Sequence, residues 1–191
     1  MQIYSAIING YDEKLKGGKV FEEQSNEPHL RSRWYKMHPH VLFPDADFTL
    51  WIDGNIEIIG KITEIIDFDI LVFKHSRRNC VYEEAAIVIN QFPGITKKVY
   101  EQVFKYTQEG YPANNGLYEC PVILRKNSEK VNEFNEAWWN EINTYSKRDQ
   151  ISFAYLVKKM GLKVGTFEGS IENNSVFKKH PHRGMLNDQP I

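Results

Sequence analysis

The chain has 191 residues, 41% of them hydrophobic and 26% charged, with a formal net charge of −1. That length and balance support an ordinary buried core without disulfide or metal help. The near-zero net charge excludes the basic field on which nucleic-acid and anionic-membrane binding rely.

No apolar run reaches bilayer-spanning length, so no transmembrane segment is expected. The N-terminal stretch lacks the basic region of a signal peptide. It reads as a first core strand over Ile3–Ile8, closed by the turn signal Asn9-Gly10-Tyr11-Asp12. Cys80 and Cys120 are the only cysteines, expected as free buried thiols, which points to a reducing, cytoplasmic setting. Residues 12–28 are polar, carry Gly17-Gly18 and Pro28, and are expected to form a loop. Leu30–Met37 predicts a short helix bearing Arg31, Arg33 and Lys36, and Pro39 and Pro44 bound a connector. Phe48–Ile52 is the next predicted strand, and Ile56–Ile59 a further one after Asp53-Gly54-Asn55.

Ile62–Ile66 suggests a turn or two of helix, and Ile70–Phe73 a strand. Val81–Gln91 predicts a buried helix, and Thr96–Gln108 an amphipathic one with Val99, Val103, Phe104 and Tyr106 near one face. Leu117–Leu124 reads as a strand in which Pro121 favours an edge position or a bulge. Ser128–Ile142 carries Val131, Phe134, Trp138 and Ile142 at helical spacing, and Arg148–Met160 predicts a helix stopped by Gly161. Lys163–Phe167 is the last predicted strand, before a polar tail with His180-Pro181-His182. Strands alternate with helices and nothing repeats. The prediction is a single compact α/β domain with a mixed, mainly parallel sheet.

In such sheets ligands gather at strand ends. Asp53 and Asn55 lie there, two apart with Gly54 between, so both oxygens can turn toward one hard cation such as magnesium or manganese. The same three residues are ordinary turn formers, and spacing alone favours the turn. Arg31, Arg33 and Lys36 suit a diphosphate clamp or a solvated basic face. His75-Ser76-Arg77-Arg78 follows a strand end and is either a ligand loop or a basic surface loop. Asp149 falls in the first turn of its helix. It is a positioned carboxylate able to act as a base, or part of a capping-box variant with Ser146 as the cap. His180 and His182 would point the same way if extended, as a metal ligand or as part of a polar tail.

The order "IYSAIINGYD", "RSRWYKMHPHVLFPDADFTLWIDGNIEI", "FKHSRRNCVYEEA", "GLYECPVILRKN" and "WWNEINTYSKRDQISF" resembles a glycosyltransferase-like domain family grouped with the GT-A-fold glycosyltransferases. The resemblance runs from the first strand to the Arg148–Phe153 helix. It implies a Rossmann-like sheet flanked by helices, binding a nucleoside-diphosphate sugar through Mn2+ or Mg2+. Asp53 and Asn55 would take the metal position, where the commonest pattern has a second aspartate in place of Asn55, and His180 or His182 would be the late histidine ligand. On this reading residues 1–75 form the nucleotide- and metal-binding half, 76–170 the acceptor side, and 171–191 a tail closing the site. Tyr11, Arg31, Arg33, Lys36, Asp53, Gly54, His75 and Arg78 are expected around the donor. Asp149 would be the base of an inverting enzyme, or with Gln150 would support the anomeric face in a retaining one. Glu119 would contact the acceptor hydroxyl, on a glycan or another acceptor. Two other readings are a non-catalytic nucleotide-sugar or carbohydrate-binding module and a sugar nucleotidyltransferase. The lack of a Gly-rich, Lys-containing phosphate loop near the N-terminus counts against the second.

Overall fold

Alternation of small and branched residues in the first run builds β1 (Gln2–Ile8), with Tyr4, Ala6 and Ile8 on one face and Ile3, Ser5 and Ile7 on the other. The computed structural model describes residues 1–13, 18–62 and 67–182. The helical turns expected over Ile62–Ile66 fall almost wholly outside them. The remaining elements are β2 (Lys19–Glu23), α1 (Pro28–Met37), α2 (Pro39–Leu42), β3 (Phe48–Ile52), β4 (Ile56–Ile58), β5 (Ile70–Lys74), α3 (Val81–Gln91), α4 (Thr96–Gln108), β6 (Tyr118–Lys126), α5 (Glu129–Thr144), α6 (Asp149–Lys159), β7 (Val164–Thr166) and β8 (Phe177–Lys179). No helix of the described residues is long and apolar enough to cross a membrane.

The main sheet runs β2-β1-β3-β6-β5-β7. The β1–β2, β1–β3 and β5–β7 pairs are parallel, and β6 runs antiparallel to both its neighbours. This is the mixed, mainly parallel sheet expected. Its two faces are covered differently. Side chains of α1, α3, α4, α5 and α6 join Tyr4, Trp51, Val72 and Ile123 in the larger core. The opposite core gathers Leu50, Ile52, Phe73, Val122 and Leu124 under Ile56, Ile171 and Phe177, with no helical residue among those described.

Two expectations are corrected and a third is decided between its alternatives. The stretch taken as loop over residues 12–28 contains β2, which pairs with β1 from Tyr4↔Lys19 to Ile8↔Glu23. As an edge strand it needs little apolar surface, and Phe21 stacked on Tyr35 at 4.8 Å anchors it. The polar tail contains β8, antiparallel to β4 with Ile56 opposite Lys179. Pro121 lies not at an edge but in β6, between β3 and β5. The alternative expectation, a bulge, holds: the β5–β6 register shifts between Leu71 and Phe73, where a residue without N–H costs no ladder bond. The Pro121 carbonyl still accepts from the Asp53 amide at 2.7 Å.

Candidate active site

The topology decides which residues meet. β1, β3 and β5 run the same way and β6 the opposite way, so one edge of the sheet collects the ends of the first three and the start of the fourth. Asp12 follows β1, Asp53 follows β3, His75 follows β5, and Glu119 opens β6. The end of α1 and the start of α6 reach the same edge.

Lys36, in the last turn of α1, joins two of these elements. Its Nζ donates to Asp149 Oδ2 at 2.9 Å and lies 3.1 Å from Asp53 Oδ1. Asp53 Oδ1 also accepts from the Trp51 indole at 2.7 Å. The lysine side chain is only 5% exposed and that of Asp149 14%, whereas Asp53 is 33% exposed. Burial alone would discharge the ammonium, but Asp149 and Asp53 outweigh it and hold its pKa above the ordinary lysine value. Burial likewise opposes the Asp149 carboxylate. Lys36 and Arg33 overcome that and bring its pKa down to about 2. The centre is therefore one fixed cation between two fixed anions.

A buried arginine sets the end of α1. Arg125 Nη2 donates to the Lys36 carbonyl at 2.6 Å and to Tyr4 Oη at 2.7 Å, and Nη1 donates to Asn135 Oδ1 at 2.9 Å. Burial raises the Tyr4 phenol to about 12 despite the nearby Arg125 and Lys36 cations, so it stays a neutral donor, to the Lys36 carbonyl at 3.2 Å. The start of α6 is held from the other side, where the Trp138 indole donates to the Asp149 carbonyl at 3.2 Å and Ser152 Oγ at 3.0 Å. Ser146 is not the cap of α6. Its hydroxyl donates to buried Gln102 at 2.6 Å, and the residue at the cap position is Arg148. Asp149 is thus free of a capping-box role, and its side chain is given to Lys36. Gln150 follows it in the first turn, half-buried.

Beside this centre lies a second cluster made by the tail. His182 Nδ1 is 2.9 Å from Asp12 Oδ1, and the His182 ring is 5.1 Å from that of Tyr11. The Asp12 hydrogen bond raises the His182 pKa, and the charges of Asp12 and Asp53 add to it. Gly54 makes room for them: a Cβ there would stand 2.7 Å from Asp12 Oδ2. Asn55 is buried, its Nδ2 donating to the His180 carbonyl at 2.7 Å. The His180 ring pairs with Glu57 at 2.8 Å.

A third cluster follows β5. His75 Nδ1 accepts from the Arg77 and Arg78 amides, both at 3.1 Å, and Nε2 lies 3.3 Å from Arg78 Nη2 and 3.9 Å from Glu84 Oε2. Burial lowers its pKa and keeps it neutral. Arg78 pairs with the same Glu84 at 2.7 Å. Glu119 Oε1 accepts from Ser76 N at 3.3 Å and Oγ at 3.2 Å, while Oε2 is buried without a partner. Cys120 is a buried thiol pushed well up by burial and then by Asp149, so it stays protonated.

Of the residues singled out in the sequence, Lys36, Asp53, Gly54 and Asp149 come together, and Tyr11 and His182 adjoin them. Arg33 reaches them through its field on Asp149, with Nε donating to the Lys147 carbonyl at 3.0 Å. Arg31 is committed elsewhere, to Glu23 at 2.8 Å and over the Trp34 ring at 4.6 Å. Asp12 and Arg125 were missed. Asp12 reads as a turn residue, whereas a charged residue closing the apolar run "PVILR" was a legible signal for Arg125. Among the described residues no three His, Cys, Asp or Glu side chains are grouped to hold a metal ion. Two of the four expected ligands, Asn55 and His180, are used by each other and by Glu57. Of the four, Asp53 and His182 remain, with Asp12 paired to His182. They are too few to hold an ion by themselves, and a hard cation at Asp53 would need phosphates and water to complete its shell.

A mixed α/β sheet with an acidic, lysine-bridged strand-end edge defines an α/β protein with its candidate site at that edge. The chain belongs to the TOD1/MUCI70 glycosyltransferase-like domain family, whose model matches residues 20–182. It is 30% identical over 145 residues to a probable hexosyltransferase, MUCI70, from Arabidopsis thaliana, covering 67% of this chain and 25% of that protein. It is 24% identical over 141 residues to the alkaline ceramidase TOD1 of the same plant, covering 65% of this chain and 30% of that protein. The chain therefore spans about a quarter to a third of the length of these relatives. A glycosyltransferase involved in glycosylation of the major capsid of PBCV-1 superposes with a TM-score of 0.44 at 12% identity, over 79% of this chain and 66% of that one. Core-mannan synthase A from Aspergillus fumigatus, in a Mn/GDP form, gives 0.40 at 8% identity, over 87% and 61%.

Proposed function

We propose that this domain transfers a glycosyl group from a nucleoside-diphosphate sugar to an acceptor hydroxyl, with a divalent ion assisting. The observation that carries the reading is Lys36, buried between Asp53 and Asp149 at the ligand-collecting edge of the sheet. A lysine ion-paired this deeply costs desolvation, and such groups concentrate where charge must be held in place for chemistry.

Each residue then has a task. Lys36 keeps both carboxylates ionised and aimed. Asp53, the more exposed of the two, turns toward the donor and is the group that would meet magnesium or manganese there, with Asp12 and His182 beside it. Such an ion, when bound, neutralises the leaving diphosphate. Arg33 adds positive field on the same side. As the bond from the anomeric carbon to the phosphate oxygen breaks, positive charge develops on the sugar. Asp149, fixed as an anion, faces that charge. A carboxylate with a pKa of about 2 is a poor proton acceptor near neutrality, which favours a charge-stabilising role over that of general base. The acceptor oxygen forms the new bond to the anomeric carbon, and its proton passes to the departing diphosphate oxygen. Glu119, which opens β6 at the same edge, would contact the acceptor hydroxyl.

The relatives' names include both hexosyl transfer and ceramide hydrolysis, so family membership alone does not choose between them. A ceramide brings no diphosphate for this edge to meet, and the geometry favours transfer. The test is a calorimetric titration with UDP-, GDP- and ADP-sugars, with and without manganese, followed by product analysis with glycan acceptors. Binding by the native chain and its loss in Asp53→Ala are expected. Equal affinity in both proteins, or ceramide cleavage without donor binding, would overturn the reading. Binding without turnover would favour the non-catalytic module, and pyrophosphate release from a nucleoside triphosphate the nucleotidyltransferase.

A further inference from the structure

Asn55 sits at the turn that carries Asp53, yet its side-chain NH2 is spent on the tail. It is 5% exposed, and its Nδ2 donates to the His180 carbonyl at 2.7 Å. Its own carbonyl accepts from the His180 amide at 2.9 Å, so one residue grips the main chain of His180 at both polar groups. This grip continues the β4–β8 ladder by one step past Ile56↔Lys179. Pro181, with its fixed φ, links the gripped residue to His182. His182 then meets Asp12 at 2.9 Å, and Asp12 lies against Gly54, one residue before Asn55. The chain thus closes a loop: turn 53–55 holds His180, His180 delivers His182, and His182 with Asp12 returns to the turn.

We infer that Asn55 is a positioning residue, acting not on the ligand but through His182. Its carboxamide is required because the partner is a carbonyl oxygen: only a donor satisfies it, and a carboxylate of the same size would repel it. The role of His182 in ligand binding rests on the glycosyl-transfer reading. Its placement by Asn55 does not.

The experiment uses the ligand-free chain, so its outcome is independent of whether any sugar donor binds. Amide hydrogen exchange of residues 177–182 and the NMR signals of the His182 imidazole are compared in the native chain, Asn55→Asp, Asn55→Ala and Asp12→Asn. In Asn55→Asp the tail amides are expected to exchange at least about tenfold faster, the effect of losing a buried hydrogen bond and gaining a repulsion. The main-sheet amides stay protected. The His182 signals move to those of Asp12→Asn, showing that the ring has left its partner. Asn55→Ala, which removes the donor without adding charge, does the same to a smaller degree and carries the test if Asn55→Asp fails to fold. Tail exchange and His182 signals unchanged in both Asn55 variants would overturn the inference. So would faster tail exchange with the His182–Asp12 signature intact, since Asn55 would then only stitch the strand.

Discussion

The two polar clusters that share the Asp53 edge are built on opposite principles. The lysine-centred one is buried and joins α1, β3 and α6, with Lys36 and Asp149 separated by 113 residues of chain. In the tail cluster the imidazoles are partly exposed, His182 at 35% and His180 at 32%, and each makes a single carboxylate pair, while Asn55 holds only the main chain of His180. A buried ion triad cannot lose one member without stranding the others. Exposed pairs come apart at little cost. The first cluster is therefore framework, present before any ligand arrives, and the second is the side of the site that can yield.

That contrast is broken most sharply by Lys36→Met, which leaves Asp53 and Asp149 without their cation. A loss of about 3–5 kcal/mol in urea unfolding is expected. Adding Asp53→Asn and Asp149→Asn should recover most of it. A loss under about 1 kcal/mol would show that the triad is not framework.

A smaller effect is expected from acid. In the folded chain the Asp149 pKa falls from 3.8 to about 2, so its contribution is full above the unfolded value and disappears as pH falls through the folded one. The shift corresponds to about 2 kcal/mol. Asp149→Asn should flatten the stability profile between pH ~4 and ~2, as read by denaturant midpoints across that range. An unchanged acid limb would place the coupling elsewhere.

Gly54→Ala tests the join between the clusters. The added Cβ would stand 2.7 Å from Asp12 Oδ2, displacing the carboxylate that holds His182. A cost near 1 kcal/mol is expected, with a larger loss in donor affinity by calorimetry. The smallest effect is expected from Arg31→Ala, because its Glu23 pair lies outside both clusters and is a third exposed. Stability should fall by less than about 1 kcal/mol and donor affinity should not move. A tenfold fall in affinity would return Arg31 to the site.

Much of this was legible in the sequence where the signal was local. The Val81–Gln91 and Thr96–Gln108 helices appear at the bounds read from their apolar residues, although Phe104, expected on one face with Val99 and Tyr106, is 52% exposed while the polar Gln102 is buried. Asp53 and Asp149 were singled out by their places at a strand end and a helix start. What escaped depends on partners distant in sequence. β2 and β8 are edge or outlying strands with few apolar residues, defined by what they pair with. Asn55 reads as a ligand in its local setting, and only the return of the tail 125 residues later shows its carboxamide in use. Lys36 was one of three cations on a short helix. Nothing in "RSRWYK" reveals that the third turns inward to two acids while the first pairs with a glutamate of β2.

Trp51 gives the molecule a reporter it did not need to be supplied with. Its indole is 1% exposed, stands edge-on to Tyr4 at 5.2 Å, and donates directly to the Asp53 carboxylate. Indole emission follows the field at its N–H, so any ion or phosphate drawn to Asp53 alters the light from the ring behind it. With the other three tryptophans replaced by phenylalanine, occupancy of the edge would be read from the protein's own fluorescence, without label or coupled assay.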